Sequence, residues 1–240
     1  MLFRSGHFLT AIPTYHPSAV LRNNWTRQSG GTARGAMEWI ADWMKAAKIA
    51  RDGEPKHIEE RFNLDPSVED IETFCADAVA NKRLVAVDIE TTGLSFDTCK
   101  IVMIGLATSN EDALVVPLST NRDTPRFTNG NLERVRAALG QLFSQCPQIY
   151  QNCYFDVPRL RAFGFTIPYD RIAHDTMLLH HTLAAEAPHD LGYITSIYGA
   201  TPYWKEEFKN RSGSIFDMDQ IEARRYNARD CVVLHQVLAP

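Results

Sequence analysis

The pattern of hydrophobic and polar positions divides the chain into two parts, with the change at about residue 84. Upstream of that point, apolar residues recur at helical spacing in residues 36–50 and again in residues 66–80. Asp65 suits the cap of the second helix, and Pro66 suits its first helical position. The pattern therefore predicts two helices here, separated by polar segments that contain Gly, Ser or Pro.

Downstream of that point, apolar runs of strand length alternate with helical patterns. The strand-like runs are residues 84–89, 101–107, 113–117 and 148–152. The tetrapeptide SNED, between the second and third runs, predicts a hairpin turn. Helical patterns occupy residues 131–145, 155–165, 176–185, 189–199 and 219–238. This alternation predicts an α/β domain with a mixed sheet of about five strands flanked by helices.

The composition is that of an ordinary globular protein, with 45% hydrophobic and 22% charged residues among 240. No apolar stretch approaches the roughly 18 residues of a membrane span, and the N-terminal segment makes a poor secretory signal. The five cysteines are scattered, which indicates reduced thiols rather than a disulfide framework or a zinc site. We therefore expect a cytoplasmic protein without a membrane partner. The net charge of −4 also excludes a strongly basic nucleic-acid coat.

Two acidic residues at the end of the first strand-like run are the first candidates for chemistry. Side chains alternate between the faces of a strand, so Asp88 and Glu90 point the same way. Two anions on one face repel each other unless a cation lies between them. Taken alone, the pair is also typical of a strand that runs into an acidic, solvated turn.

Two further motifs each supply a carboxylate. Asn152 and Asp156 are four residues apart, where a strand ends and a helix begins. Tyr226 and Asp230 are also four apart and share a helix face with apolar residues. Burying a carboxylate without a partner is costly, although Asp230 alone could be capped by Arg or by backbone amides. Taken together, the four carboxylates could be hard oxygen ligands for two divalent cations.

The order of these motifs resembles that of the DEDD 3′–5′ exonucleases. The segments VDIETTGL, NCYFD and YNARD match the three motifs in sequence, and the tyrosine of the last one is similar to the DEDDy branch. HDTMLLHHTL, HDLGYITSIY and PYWKEE extend the resemblance to the proofreading domain of family A DNA polymerases, especially phage-type relatives. The resemblance covers about residues 65–238. It implies an RNase H-like fold in a bacterial or phage-infected cell.

The resemblance also implies a role for each matching residue. Two Mg²⁺ or Mn²⁺ ions would lie astride the scissile phosphate, held by four carboxylates: Asp88, Glu90, Asp156 and Asp230. One ion would activate the attacking water and the other would stabilise the leaving 3′ oxygen, while Tyr226 would orient that water. Substrate contacts would come from Thr91, Leu94 and Asn152. Among these, Leu94 would be an apolar wedge against the 3′-terminal base.

Polar residues near these motifs have more than one interpretation. His180 and His181 are neighbours on a helix and do not face each other, so packing and exposure are favoured over a metal pair. His189 and Asp190 either contact substrate or pack at a helix start. Lys205 either reaches phosphates or belongs to a solvated loop, because two glutamates follow it.

Residues 1–64 form a separate N-terminal arm in this interpretation. TYHPSAVLR resembles the His-Pro-Ser segment near the end of uracil-DNA glycosylases. No glycosylase core accompanies it, so we expect no release of uracil from DNA. The helix that carries Trp39 and Trp43 is either a docking face for a partner or a cover for the sheet.

The sequence thus predicts a 3′–5′ exonuclease domain over residues 65–240. The expected substrate is the 3′ end of single-stranded or frayed DNA, and the expected role is proofreading. The DNA polymerase would lie in the same chain, if this is a fragment of one, or in a separate subunit. One alternative is an exoribonuclease of the RNase D type. Another is a catalytically silent scaffold, although the presence of Tyr226 and all four carboxylates argues against it.

Overall fold

A mixed six-stranded sheet lies at the centre of the computed structural model, which describes residues 31–53, 58–121, 124–201, 204–205, 215–217 and 219–238. The strands are β1 (Arg61–Asn63), β2 (Val85–Thr91), β3 (Ile101–Ala107), β4 (Asp112–Pro117), β5 (Gln148–Tyr150) and β6 (Ile172–Asp175). Their order across the sheet is β1-β4-β3-β2-β5-β6. Neighbours among β2, β3 and β4 are antiparallel, whereas the other neighbouring pairs are parallel. The predicted α/β fold with a mixed sheet is confirmed.

Helices flank both faces of this sheet. They are α1 (Gly31–Asp52), α2 (Val68–Ala80), α3 (Gly130–Gln145), α4 (Cys153–Ala162), α5 (Thr176–Leu183), α6 (Leu191–Tyr198) and α7 (Gln220–Leu238). None of the described helices combines the length and the apolar composition needed to cross a membrane.

The sheet has one strand more than the five predicted. β1 and β6 contain three and four residues, and such short runs do not show the two-residue alternation from which a strand is recognised. β1 extends the sheet beyond β4, where the guanidinium of Arg61 donates to both carboxylate oxygens of Asp112 at 2.9 and 2.8 Å. The remaining four strands agree with the predicted runs to within two residues at each end.

The start of α2 differs from the prediction. Ser67 caps this helix, because its hydroxyl accepts from the backbone N–H of Asp70 while the Asp70 carboxylate accepts from the N–H of Ser67. Asp65, the predicted cap, instead accepts a hydrogen bond from Arg224 on α7 at 2.8 Å. Pro66 therefore precedes the cap rather than occupying the first helical turn. The two hydrogen bonds between Ser67 and Asp70 therefore fix the start of α2 at residue 68.

The two faces of the sheet carry separate hydrophobic cores. One core packs α2, α3 and α4 against β2, β3 and β4, and the other packs α7 against the opposite face. α7 approaches β3 so closely that a Cβ on Gly105 would lie 2.4 Å from Oδ1 of Asn227. Glycine is therefore required there, and side chains of β2 that point to this face lie next to α7.

The N-terminal helix α1 lies beside α6. Nζ of Lys45 donates to the backbone carbonyl of Ser196 at 3.1 Å. The predicted apolar stripe is largely exposed, since Ile40, Trp43 and Met44 are 51%, 56% and 68% accessible to solvent. Among the described residues, neither core of the sheet includes a side chain of α1. The described part of α1 therefore does not cover the sheet through either core, and its docking to a partner stays a prediction. The glycosylase-like segment TYHPSAVLR lies outside the described residues.

Candidate active site

Two of the candidate carboxylates lie on β2 and point to the face that α7 covers. Asp88 is opposite Gly105 and Glu90 is opposite Met103 in the antiparallel pairing with β3. Residues two apart on a strand share a face, so the predicted common direction of Asp88 and Glu90 agrees with the structure. Nδ2 of Asn227 on α7 donates to Oδ2 of Asp88 at 2.6 Å. This bond fixes the rotamer of the first carboxylate.

Asp156 reaches the same region from the first turn of α4. It is 4% exposed, and its Oδ1 accepts the backbone N–H of Ile89 on β2 at 3.2 Å. The start of α4 is held by Asp175, whose carboxylate accepts the backbone N–H groups of Asn152 and Cys153. Asp175 also caps α5 by accepting from Met177. One carboxylate therefore anchors two helix starts and places Asp156 beside β2.

Asp230 and Tyr226 come from α7 and are one helical turn apart. Asp230 is 5% exposed, and both of its oxygens have partners. Nε1 of Trp204 donates to Oδ1 at 2.8 Å, and Nζ of Lys205 donates to Oδ2 at 2.9 Å. The same Nζ donates to the hydroxyl of Tyr226 at 3.0 Å. Lys205 therefore joins the third motif's carboxylate to its tyrosine.

The four carboxylates share one open cleft of about 540 Å³. Its lining includes all four together with Lys205, Asn152 and His189. Strand β2 and helices α4 and α7 thus bring the three motifs to one place across 142 residues of sequence, from residue 88 to residue 230. The polar groups of this cleft form the candidate active site.

The family model described as 3′–5′ exonuclease (DNA_pol_A_exo1) matches residues 67–239. The chain belongs to this 3′–5′ exonuclease family. The matched region begins two residues after the predicted start of the exonuclease domain and contains every residue of the cleft named above. No curated protein matches the chain significantly.

Solved structures share the fold of this exonuclease at low sequence identity. The catalytic core of RRP6 from Trypanosoma brucei has a TM-score of 0.52 and 17% identity, covering 75% of this chain and 45% of that one. The EXO domain of Aedes aegypti Nibbler has a TM-score of 0.50 and 16% identity, covering 70% and 81%. A structure described as the apo form of the nuclease has a TM-score of 0.51 and 17% identity, covering 76% and 79%. The RNase H-like fold is thereby confirmed. The chain spans less than half of the RRP6 core.

Three carboxylates of the exonuclease cleft have raised pKa values: Asp88, Glu90 and Asp156. Burial raises the pKa of Asp88 to about 7, and the charge of Asp230 adds to the rise, while Lys205 and Asn227 oppose it. Burial and then the charge of Asp88 raise the pKa values of Glu90 and Asp156 well above their ordinary range. Grouped anions in a poorly hydrated cleft hold protons more tightly because repulsion disfavours full ionisation.

The lysine of the cleft responds in the opposite sense. Burial by itself lowers the pKa of Lys205, but the charge of Asp230 and the hydrogen bonds to Asp230 and Tyr226 outweigh it and raise that pKa above the usual value. Lys205 is therefore protonated. Its ammonium group contacts the carboxylate of Asp230, which is also a candidate metal ligand.

The predicted substrate-contacting residues are divided between the cleft and the loop beside it. Asn152 lines the cleft and adopts a left-handed conformation, with φ of 64°, as the residue before α4. Thr91 ends β2, and its hydroxyl donates to the backbone carbonyl of Gly93 at 2.8 Å. Leu94 is 83% exposed on the following loop. Neither Thr91 nor Leu94 lines the cleft itself.

Sequence reasoning missed two neighbours of the carboxylates, Trp204 and Asn227, which both donate directly to a motif carboxylate. For Lys205 the solvated-loop interpretation is wrong, because its side chain is only 16% exposed and donates to Asp230 in the cleft. Asn227 adjoins Tyr226 in YNARD and Trp204 adjoins Lys205 in YWKEE, so adjacency to a motif is the signal that could have found them.

Three histidines form a chain at the edge of the cleft. Nδ1 of His180 lies 2.8 Å from Nδ1 of His189, and Nδ1 of His181 lies 3.0 Å from Nε2 of the same ring. The two α5 histidines therefore meet through a third imidazole rather than facing each other. Asp190 caps α6 by accepting the backbone N–H of Tyr193. His189 lines the cleft and directly precedes this cap, so its position at the helix start agrees with the structure, and its contact with substrate stays a prediction.

Proposed function

We propose that this 3′–5′ exonuclease removes nucleotides from single-stranded or frayed DNA 3′ ends with two Mg²⁺ or Mn²⁺ ions. The observation that carries the proposal is the cleft in which carboxylates from all three motifs meet beside the hydroxyl of Tyr226. DNA is favoured over RNA because the matching family model is of the DNA polymerase A type.

The donor set suits a pair of hard divalent cations, because all four candidate ligands are carboxylates. When bound, such ions acidify water and offset charge on a leaving oxygen. Across the described ranges, no three His, Cys, Asp or Glu side chains are close enough to hold an ion as they stand. Asp230 would therefore exchange its contact with Lys205 when it becomes a ligand. The carboxylate ligands suit the ions. Without the ions, Lys205 supplies the positive charge next to Asp230.

The remaining residues of the site have roles that follow from their positions. The Tyr226 hydroxyl, held by Lys205, would orient the attacking water. Asn152, which lines the cleft, would contact the DNA strand. Thr91 and the exposed Leu94 would meet the 3′-terminal nucleotide at the end of β2, where Leu94 offers an apolar surface to the base.

A comparison of DNA and RNA substrates tests the proposal. Labelled single strands of DNA and RNA with the same base sequence are incubated with Mg²⁺, with Mn²⁺ and with EDTA, and the products are separated by length. We expect a ladder that shortens from the 3′ end of the DNA and disappears with EDTA. Preferential degradation of RNA would instead assign an RNase D-type activity. Binding of either strand without any cleavage would assign a silent scaffold.

A matched pair of variants assigns the activity to the cleft. Asp88→Asn should remove the ladder, whereas Asp170→Asn, on an exposed turn that does not line the cleft, should leave it unchanged. Equal loss in both variants would point to a general defect, and equal activity would exclude the cleft as the active site.

We also infer that the domain proofreads for a DNA polymerase, in the same chain or as a separate subunit. A net charge of −4 gives the chain little electrostatic means of capturing DNA, since nonspecific affinity comes mostly from Lys and Arg. A partner that delivers frayed 3′ ends would bring the DNA to the site in place of electrostatic attraction. The exposed stripe of Ile40, Trp43 and Met44 on α1 is the candidate contact.

The partner contact is tested by separating binding from hydrolysis. Trp43→Glu should weaken copurification with the polymerase and leave the hydrolysis of short single strands unchanged. Ala50→Glu, at an exposed position of the same helix, makes the matched control because it also adds one negative charge. Full removal of mismatched primer ends by the isolated protein, with no associated polymerase, would contradict the inference.

A further inference from the structure

Arg159 is a buried cation that lies between the helix of Asp156 and the loop that follows β2. It is 9% exposed and sits one turn after Asp156 on α4. Long charged residues are rarely buried unless their donors are satisfied. Such a residue beside an active site therefore needs a structural reason.

The guanidinium of Arg159 donates hydrogen bonds to two backbone carbonyls and one sulfur, and to no carboxylate among the described residues. Nη2 donates to the carbonyl of Leu94 at 2.6 Å, and Nη1 donates to the carbonyl of Phe155 at 2.7 Å. Nε lies 3.3 Å from Sγ of Cys99. The group also lies 3.6 Å from the ring centroid of Phe155 and 5.7 Å from that of Phe96. One planar fork thus joins α4 to both ends of a single loop.

The loop that Arg159 holds, residues 92–100, presents apolar side chains to solvent. Leu94 is 83% exposed and Phe96 is 51% exposed. The base of the loop is closed by reciprocal bonds between Thr92 and Lys100. The Leu94–Phe96 tip receives its bond to the rest of the domain from Arg159.

Packing beneath the loop does not explain its position. The loop lines an open pocket of about 450 Å³, together with Ile101, Phe127 and Phe163 among others. A loop that borders an open pocket lacks the close contacts that fix side chains in a filled core. The hydrogen bonds of Arg159, at one edge of this pocket, therefore set the distance between the loop tip and Asp156.

We propose that Arg159 is the positioning residue for the 3′-terminal nucleotide: it holds Leu94 and Phe96 as a stacking surface at a fixed distance from the cleft. The proposal rests on the proposed function, because it takes the exposed tip to meet the terminal base. Apolar and aromatic side chains stack on any base, so the surface accepts all four nucleotides. Lysine cannot replace arginine here, since a single ammonium cannot bridge two carbonyls and lie on two rings.

The test compares Arg159→Lys and Arg159→Met with Arg161→Lys. Arg161 lies on the same helix, stacks over Tyr169 at 4.2 Å and donates to the carbonyl of Ile167, away from the loop. We expect KM for single-stranded DNA to rise about tenfold in both Arg159 variants, the equivalent of roughly one charge-assisted hydrogen bond. We expect kcat and the calorimetric affinity for Mn²⁺ to stay within about twofold of wild type.

A fluorescent base distinguishes positioning from a general structural role. DNA with 2-aminopurine as its 3′-terminal base is bound to each variant in an Asp88→Ala background, which prevents hydrolysis. Stacking quenches this fluorophore, so Arg159→Lys should lose the quenching of a terminal but not of an internal 2-aminopurine. Thermal denaturation checks that each variant is folded. If Arg159→Met does not fold, the result for Arg159→Lys decides the test.

The possible outcomes separate the inference from the proposed function. Unchanged KM and unchanged terminal quenching in folded Arg159→Lys would overturn the inference, as would a loss of kcat accompanied by weaker Mn²⁺ binding. If the wild-type protein neither binds nor shortens single-stranded DNA, the proposed function fails. Wild-type activity with an Arg159→Lys variant that matches the Arg161→Lys control would remove the inference alone.

Discussion

Two groups of carboxylates in this exonuclease show opposite electrostatics. In the cleft, burial and mutual repulsion raise the pKa values of Asp88, Glu90 and Asp156. On the surface where α2 meets α3, Glu69 and Glu72 share the guanidinium of Arg134 at 2.8 and 2.6 Å. Their pKa values are lowered, by backbone and Arg134 hydrogen bonds for Glu69 and by Arg134 for Glu72.

The difference between the two groups lies in what balances the charge. The surface pair has a cation and abundant water, so it favours folding weakly and needs nothing further. The open cleft brings together the four motif carboxylates, and among the described residues Lys205 is the cation that donates to one of them. A grouping that opposes folding in this way is characteristic of a functional site rather than of a stabilising one. The comparison therefore predicts different responses to substitution, to divalent ions and to pH.

The largest expected effect is the loss of nuclease activity in Asp88→Ala. Losing a metal ligand costs several kcal/mol of transition-state stabilisation, and about 4 kcal/mol corresponds to roughly a thousandfold in rate. Relief of repulsion should keep the metal-free Tm unchanged or raise it slightly. Single-turnover rates and thermal denaturation measure the two effects. Substantial activity in the purified variant would refute the assignment of the cleft carboxylates.

Tyr226→Phe should lower the rate by about a hundredfold, at the low end for groups that assist proton transfer. The ring and all four carboxylates remain, so the affinity for Mn²⁺ should persist. Calorimetric titration of Tyr226→Phe beside Asp156→Ala separates the two roles. If both variants lost Mn²⁺ affinity equally, Tyr226 would have to be treated as part of the metal site.

Lys205→Met should destabilise the metal-free protein by about 2 kcal/mol, because it leaves Asp230 buried without its cation. Added Mn²⁺ should reverse most of this loss, since the ion supplies the missing positive charge. Urea unfolding in EDTA and in Mn²⁺ measures both values, with Lys48→Met on α1 as the control. Equal stability of the two variants in EDTA would show that Lys205 does not balance the cleft.

The pH dependence of stability should differ in sign between the two groups. Asp88 has a pKa of about 7 when folded and about 4 when unfolded, so the folded state binds more protons between these values. Its contribution to stability therefore falls as pH rises from about 4 to about 7. In EDTA, wild type should lose stability over this interval relative to Asp88→Asn. An identical pH profile for both proteins would contradict the raised pKa.

The smallest effect is expected at the surface group. Arg134→Met should shift Tm by less than about 2 °C at pH 7, because exposed ion pairs are screened by water and salt. The lowered pKa values of Glu69 and Glu72 make their contribution present above their ordinary pKa and lost as pH falls below it. The difference between wild type and variant should therefore vanish in acid. A larger difference at pH 3 than at pH 7 would reverse this interpretation.

Much of the fold follows from local sequence patterns. The runs at 101–107 and 131–145 predicted β3 and α3 to within one residue, because periodicity over several turns or pleats records which side is buried. The spacing within the motifs likewise predicted that Asp88 and Glu90 share a strand face and that Tyr226 and Asp230 lie one turn apart on a helix. Residue type and spacing suffice for these features because each lies within a single element.

The tertiary structure decided the features that depend on contacts between distant segments. The short strands β1 and β6 exist because partners at β4 and β5 complete their hydrogen bonds. Lys205 enters the cleft because Trp204 and α7 bring it to Asp230, 25 residues away in sequence. Arg159 reaches the carbonyl of Leu94 across 65 residues. A hydrogen bond of this kind depends on how two surfaces pack, and no spacing along the chain encodes that distance.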